Sequence, residues 1–244
     1  MINLIFDVDD TIYNQLEPFE NAVNKVFNNH KDIDSLGLFK SHRKYSDELF
    51  DLTESGALSL DDMRVYRITK AFYDFGKNIT VKEAKDFQKE YEANQEKITI
   101  SDGIREVLNF GKENNIKMGI ITNGPTKHQG NKVNNLGLNK WISNKDIFIS
   151  ESEGVAKPDV QIFKLVEHKM NLDPENTYYI GDSINNDIVG AKSAGWKMIW
   201  INRRGVDIPE NLGFYPDYIV NDDSKLIDLI KDICKGNMVS KVLD

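Results

Sequence analysis

The chain has 244 residues, 40% of them hydrophobic, with a formal net charge of −8 at pH 7, enough length and apolar content for one large domain or two smaller ones. The acidic balance argues against surfaces that track phosphate backbones or anionic lipid, which need clustered Lys and Arg, so no nucleic acid and no membrane is expected as a partner. The lone cysteine, Cys234, cannot form an intramolecular disulfide, no leader-like segment precedes the first apolar run, and no run approaches the ~20 residues of a membrane span; a cytoplasmic location is expected.

The first apolar run, Leu4-Ile5-Phe6, ends on Asp7-Val8-Asp9-Asp10-Thr11. Carboxylates beside a core cost free energy unless a cation, a hydrogen bond or a proton compensates them, so their partners must lie elsewhere in the chain. A calcium loop fails on spacing: counting from Asp7, Ile12 falls where the loop needs glycine and Pro18 where it needs a bidentate Glu.

From Ile12 to about residue 97 the pattern is helical. Phe19, Val23, Val26 and Phe27 form one stripe, and Leu38, Tyr45, Leu49 and Leu52 a second. Val65, Ile68, Phe72 and Phe75 form a third, and Ala84, Phe87 and Tyr91 a fourth, opened by a Thr80/Glu83 capping box. So long a stretch is no ordinary crossover. It reads as a four-helix insert over 16–97, with 1–15 and 98–244 as the core domain.

Beyond the insert, Lys117–Thr122, Ile147–Ser150, Thr177–Gly181, Met198–Asn202 and Tyr218–Val220 read as strands. Their continuous apolar character means cover on both faces, hence a parallel sheet. Helix signals alternate with them: Ser101 as a cap, Pro158 in a first turn, and Gly195 closing Ile184–Ala194. The fold class is therefore α/β, a Rossmann-like doubly wound parallel sheet with an inserted helical bundle.

In such a sheet the carboxyl ends of the strands converge on one edge. Asp7, Asp9, Thr122, Asp182 and Asp187 fall at or just beyond those ends, and Lys157 beside a helix start. After Thr122, Asn123-Gly124-Pro125 offers backbone amides that could approach an oxyanion. Four carboxylates against one ammonium need an added cation, and hard oxygen ligands without nearby His or Cys point to Mg²⁺.

In order, Asp7-Val8-Asp9-Asp10-Thr11, Ile121-Thr122-Asn123-Gly124, Ala156-Lys157-Pro158-Asp159 and Gly181-Asp182-Ser183 with Asp187 resemble the four motifs of the haloacid dehalogenase superfamily. The insert resembles that superfamily's C1-type cap. The resemblance implies that Asp7 is a nucleophile forming an aspartyl-phosphate and Asp9 a general acid/base with a raised pKa. It implies that Thr122, the amide of Asn123 and Lys157 hold the phosphoryl group, and that Asp7, the carbonyl of Asp9 and Asp182 bind Mg²⁺ with Asp187 in support. Asp9 and Asp182 favour the phosphatase branch over dehalogenases, which work without Mg²⁺.

The expected substrate is a small phosphorylated metabolite such as a nucleoside monophosphate, phosphoglycolate or a sugar phosphate, and the expected state a monomer or homodimer. A phosphomutase of the beta-phosphoglucomutase type and a non-catalytic metabolite-binding protein are the rival readings. Tyr13, Arg43, Tyr45, Arg64, Tyr66 and Arg67, assigned to the insert, and His128 and Gln129 after the Thr122 loop are candidate substrate contacts. Trp141, Trp196 and Trp200 are expected to be packing.

Overall fold

The computed structural model describes residues 2–27, 33–237 and 241–243. The chain divides into two compact units, residues 1–14 with 99–244 and residues 15–98, so Gln15 and Ile98 both go with the insert.

The larger unit opens with β1 (Asn3–Phe6), all four residues of which are buried. The insert then runs through α1 (Leu16–Val26), α2 (Ser35–Glu48), α3 (Phe50–Glu54), α4 (Leu60–Asp74) and α5 (Val81–Gln95). The chain rejoins the larger unit with α6 (Asp102–Glu113), β2 (Lys117–Thr122), α7 (Thr126–Asn135), β3 (Ile147–Ile149), α8 (Ser150–Glu153) and α9 (Val160–Met170). It ends with β4 (Thr177–Gly181), α10 (Val189–Ser193), β5 (Lys197–Ile201), β6 (Tyr218–Val220), α11 (Leu226–Lys235) and β7 (Val242–Leu243).

Among the described residues seven strands form one sheet in the order β3-β2-β1-β4-β5-β6-β7, every pair parallel. The order doubles back at β1, whose neighbours β2 and β4 lead away in opposite directions, and such a reversal leaves a crevice at the carboxyl ends of the strands. On one face Ile5, Ile121, Tyr179, Met198 and Trp200 pack against Ile162, Phe163 and Val166 of α9, with Trp196 buried among them. Phe163 meets both Tyr179 and Trp196 edge-on with ring centroids 5.4 Å apart, an arrangement favoured by the ring quadrupoles.

Local details depart from the sequence reading. Ser150 starts α8 instead of ending β3. Pro158 precedes the true cap, Asp159, whose carboxylate accepts from the amide of Gln161. Ile184–Ile188 is one wide, π-type turn leading into α10. Ser101 sits at the start of α6 but makes no capping bond.

Within the insert, Phe19 of α1 is the hub of an aromatic core. Its ring lies 5.3 Å from Phe39, 5.4 Å from Phe87 and 5.9 Å from Tyr91. Ile68, Ala71 and Phe72 of α4 and Ala84 of α5 complete it, and Thr80 and Glu83 form the expected capping box. The second predicted stripe holds at Leu38 and fails at its far end. The buried face of α2 is Leu38, Phe39 and His42, whereas Leu52, on the added helix α3, is 48% exposed. The break at Leu49 ends the period that the leucine spacing carries onward in the sequence.

Candidate active site

β1 ends at Phe6, but the amide of Asp7 still donates to the carbonyl of Ile180, 2.9 Å away. The sheet therefore holds the backbone of Asp7 and leaves its carboxylate at the strand's carboxyl end. Lys157 reaches it from the loop before α9, with Nζ donating to Asp7 Oδ1 at 2.7 Å, Asp187 Oδ1 at 2.7 Å and the Tyr179 hydroxyl at 2.8 Å. An ammonium has three donors, and all three are used.

Tyr179 in turn donates to the carbonyl of Ile121 at 3.0 Å, so the sheet fixes the position of the lysine. Two further bonds hold Lys157 by its backbone: Asn123 Nδ2 donates to its carbonyl at 2.8 Å and its amide donates to Asn123 Oδ1 at 2.9 Å. The loops after β2 and before α9 are thus laced together through one amide side chain.

Asp187 is fully buried on the wide turn after β4, and its second oxygen accepts from the amide of Ser183 at 2.9 Å. A Cβ on Gly181 would stand 2.4 Å from that oxygen, so only glycine admits the carboxylate there. Asp182 is partly exposed, and its carbonyl accepts the indole N–H of Trp200 at 2.7 Å. One carboxylate oxygen from each of Asp7, Asp182 and Asp187 lies within 4.8 Å of the others.

Asp7 and Asp187 share one ammonium, and Asp182 brings a third carboxylate within 4.8 Å of theirs, so the cluster carries an excess of negative charge. Burial pushes Asp7 up to about 6, Lys157 pulls the other way, and Asp187 and Asp9 add to the rise. For Lys157, burial favours the neutral amine, but Asp187 and Asp7 outweigh it and hold the ammonium above its ordinary value. A divalent cation that prefers hard oxygen ligands fits this donor set and would relieve the electrostatic load on Asp7.

Thr122 closes β2 fully buried, and its hydroxyl has no hydrogen-bond partner. Buried hydroxyls are normally satisfied, so this orphan at a strand's carboxyl end suits donation to an oxyanion. Of the backbone amides after Thr122, that of Gly124 is already used, since it donates to Ser150 Oγ at 2.9 Å.

Asp9 departs most from expectation. Lys132 Nζ lies 2.6 Å from one of its oxygens and 2.7 Å from the other. Gln129 Nε2 donates to Oδ2 at 3.0 Å, and the Tyr13 hydroxyl donates to Oδ1. Burial alone would raise its pKa, but Lys132 and the hydrogen bonds from Lys132, Tyr13 and Gln129 hold the carboxyl well below the usual range. The sequence reading required the opposite direction, because it had no lysine beside Asp9.

Behind this turn Asp10 adopts a left-handed conformation, φ 58°. Arg204 grips its carboxylate at 3.0 and 2.6 Å. Arg203 donates to the carbonyls of Asp10 and Thr11, to Ser101 Oγ and to Asp223.

Tyr13 belongs to the larger unit and is buried. Within the insert, Arg43 donates to Gln15, Tyr45 to Asp74 at 3.0 Å, and Arg64 pairs with Glu92 at 3.0 Å. Arg67 donates to Ser46 at 3.0 Å and Gln88 at 3.1 Å, and Tyr66 is 42% exposed. His128 is partly buried on α7. Sequence reasoning missed Lys132, Tyr179, Ser150, Trp200, Arg203 and Arg204. For Lys132 a signal existed: it stands one turn after Gln129, on the same face of α7.

A family model described as haloacid dehalogenase-like hydrolase matches residues 3–195. A glyceraldehyde 3-phosphate phosphatase of Methanocaldococcus jannaschii is 33% identical over 120 residues, 49% of this chain and 51% of that protein. The match thus spans about half the length of that relative. The pyrimidine 5'-nucleotidase YjjG of Escherichia coli is 27% identical over 95% of this chain and 97% of its own. The solved structure of the HAD-hydrolase YfnB of Bacillus subtilis, bound to magnesium, superposes with a TM-score of 0.69 at 22% identity. It covers 94% of this chain and 98% of its own.

Proposed function

The chain belongs to the haloacid dehalogenase-like hydrolase family, and from that premise we propose that it is a Mg²⁺-dependent phosphatase of small phosphorylated metabolites, working through an aspartyl-phosphate. The observation that carries the reading is the buried Lys157, bonded at once to Asp7, Asp187 and Tyr179, beside the three carboxylates that could share a cation.

Asp7 is the nucleophile. A carboxylate needs no deprotonation to attack phosphorus but is feeble, so the site's task is charge neutralisation. Lys157 steadies the attacking carboxylate and the phosphoryl oxygens, while the Thr122 hydroxyl and the amide of Asn123 hold the transferring group. Asp7, Asp182 and the carbonyl of Asp9 would hold Mg²⁺, with Asp187 in support. When bound, the ion supplies positive charge to the carboxylates and the phosphoryl oxygens together.

Attack by Asp7 forms the Asp7–phosphorus bond and breaks the bond to the leaving oxygen; Asp9, ionised at rest, relays to that oxygen a proton carried in by the substrate. A phosphate monoester bound as its monoanion can bring that proton, because its second pKa lies near 6. Water then attacks the phosphorus of the acyl phosphate, Asp9 accepts its proton, and inorganic phosphate leaves with Asp7 restored. The ionised, clamped Asp9 suits this second half-reaction.

A nucleoside monophosphate is the first substrate to try, because the relative that acts as a nucleotidase matches this chain across insert and core alike. The test is phosphate release from nucleotides, glyceraldehyde 3-phosphate, phosphoglycolate, sugar phosphates and p-nitrophenyl phosphate in Mg²⁺. Inorganic phosphate is expected from at least one. Its absence from all of them would overturn the proposal, and a rearranged sugar phosphate in its place would make the protein a mutase.

A further inference from the structure

Lys132 is 4% exposed, and its ammonium lies within hydrogen-bond distance of both oxygens of a carboxylate 123 positions away in sequence. Burying a lysine is costly, and a buried ion pair usually gains a fold little over a well-packed apolar pair of the same volume. Stability alone therefore gives little reason for this arrangement. Its surroundings supply another. Gln129, one turn earlier on α7, donates through one amide nitrogen to Asp9 Oδ2 at 3.0 Å and to the carbonyl of Asn123 at 2.9 Å.

The same side chain thus ties Asp9 to the loop that follows Thr122. Tyr13, buried, closes the remaining side on Oδ1. Ammonium, amide and phenol together leave the carboxylate one orientation, because each oxygen is held by two donors in different directions.

Building on the phosphatase reading above, we propose that Lys132 is a positioning residue that fixes the Asp9 carboxyl group on the leaving oxygen of the substrate, with Tyr13 and Gln129 as its partners. General acid–base catalysis demands a heavy-atom separation of roughly 2.6–3.2 Å to the proton's destination, and a carboxyl group free to rotate spends most of its time outside that range. Lys132 works through Asp9 and touches neither phosphorus nor the nucleophile.

The readout is leaving-group dependence. p-Nitrophenol departs readily without a proton, whereas phenol needs one, and kcat/KM reports the step in which that bond breaks. The wild-type enzyme, Lys132→Met, Lys132→Arg and Tyr13→Phe are compared on p-nitrophenyl phosphate and phenyl phosphate in saturating Mg²⁺. In Lys132→Met the p-nitrophenyl to phenyl ratio of kcat/KM should rise about tenfold, part of the ~10²–10⁴ that a positioned acid contributes.

Lys132→Arg should return the ratio to within about threefold of wild type, since it restores two-oxygen contact. Tyr13→Phe leaves the ion pair intact and should give a smaller rise, which keeps the test open if Lys132→Met does not fold. A ratio that is unchanged or lower, with both esters slowed alike, makes Lys132 a merely structural counter-charge and overturns the proposal. No hydrolysis of either ester by the wild-type enzyme would instead overturn the phosphatase reading, and the positioning role with it.

Discussion

Replacing Asp7, the proposed nucleophile, should stabilise the metal-free protein while abolishing the proposed phosphatase activity. Asp7 is pushed from 3.8 to about 6 by burial, with Lys157 opposing and Asp187 and Asp9 adding. At 1.36 kcal/mol per pKa unit, ionised Asp7 at pH 7–8 costs the folded state about 3 kcal/mol relative to the unfolded chain. The sign follows from proton counts. Between pH 3.8 and 6 the folded state binds more protons than the unfolded one, so wild-type stability falls as pH rises through that window.

Asp7→Asn removes that loss at the expense of about 1 kcal/mol for its own imperfectly satisfied amide, leaving a net gain of about 2 kcal/mol. Urea unfolding of both proteins in EDTA, at pH 4 and pH 8, measures it. The variant should be more stable at pH 8 and nearly equal at pH 4, and Mg²⁺ should stabilise the wild type but hardly the variant. A variant less stable than wild type at pH 8 without metal would refute the reasoning, because the attraction of Lys157 would then outweigh the cost of burying the Asp7 carboxylate.

Three other outcomes follow from the same geometry. Thr122→Val removes a buried hydroxyl that has no partner, so stability should hold or rise by up to about 1 kcal/mol while kcat/KM falls about 10²-fold; equal kinetics would remove Thr122 from the phosphoryl site. Excess EDTA should abolish phosphate release and added Mg²⁺ restore it; undiminished turnover in EDTA would contradict the cation's role.

In the insert, His42 is buried with neither ring nitrogen bonded. Burial, then Arg67 and Arg43, hold it well below 6.5. The unfolded chain therefore binds the extra proton, and stability is lost as pH falls below 6.5, by up to about 1.4 kcal/mol per unit. Unfolding of Asp7→Asn with and without His42→Leu, from pH 7 to 5, isolates that slope; no change in slope would contradict it.

The sheet was legible because buried parallel strands are nearly continuous apolar runs, and Lys117–Thr122 and Thr177–Gly181 match β2 and β4 to the residue. The insert was legible as helical from its stripes, except where α2 stops at Leu49 and the spacing of Leu38, Tyr45, Leu49 and Leu52 runs across two helices. Periodicity carries no information about such a break. Asp7, Asp182 and Asp187 could be gathered from strand ends alone, because topology dictates where those ends meet.

The environment of Asp9 could not be read in this way. Its compensating charge, Lys132, sits in the second turn of α7, and among many surface lysines nothing local distinguishes one that points inward. Tyr179 and Trp200 were hidden for the opposite reason: aromatics in a strand fit a packed core so well that their polar ends, bonded to Lys157 and to the carbonyl of Asp182, leave no trace in the pattern.

The most direct test of the account is a single turnover with radiolabelled substrate phosphate in Mg²⁺, quenched in acid at successive times. Protein-bound phosphate should rise and then decay into inorganic phosphate, be released by hydroxylamine as an acyl phosphate must be, and map to Asp7. Inorganic phosphate released by the wild type at full rate with no protein-bound label at any time, or released at near wild-type rate by Asp7→Asn, would contradict it.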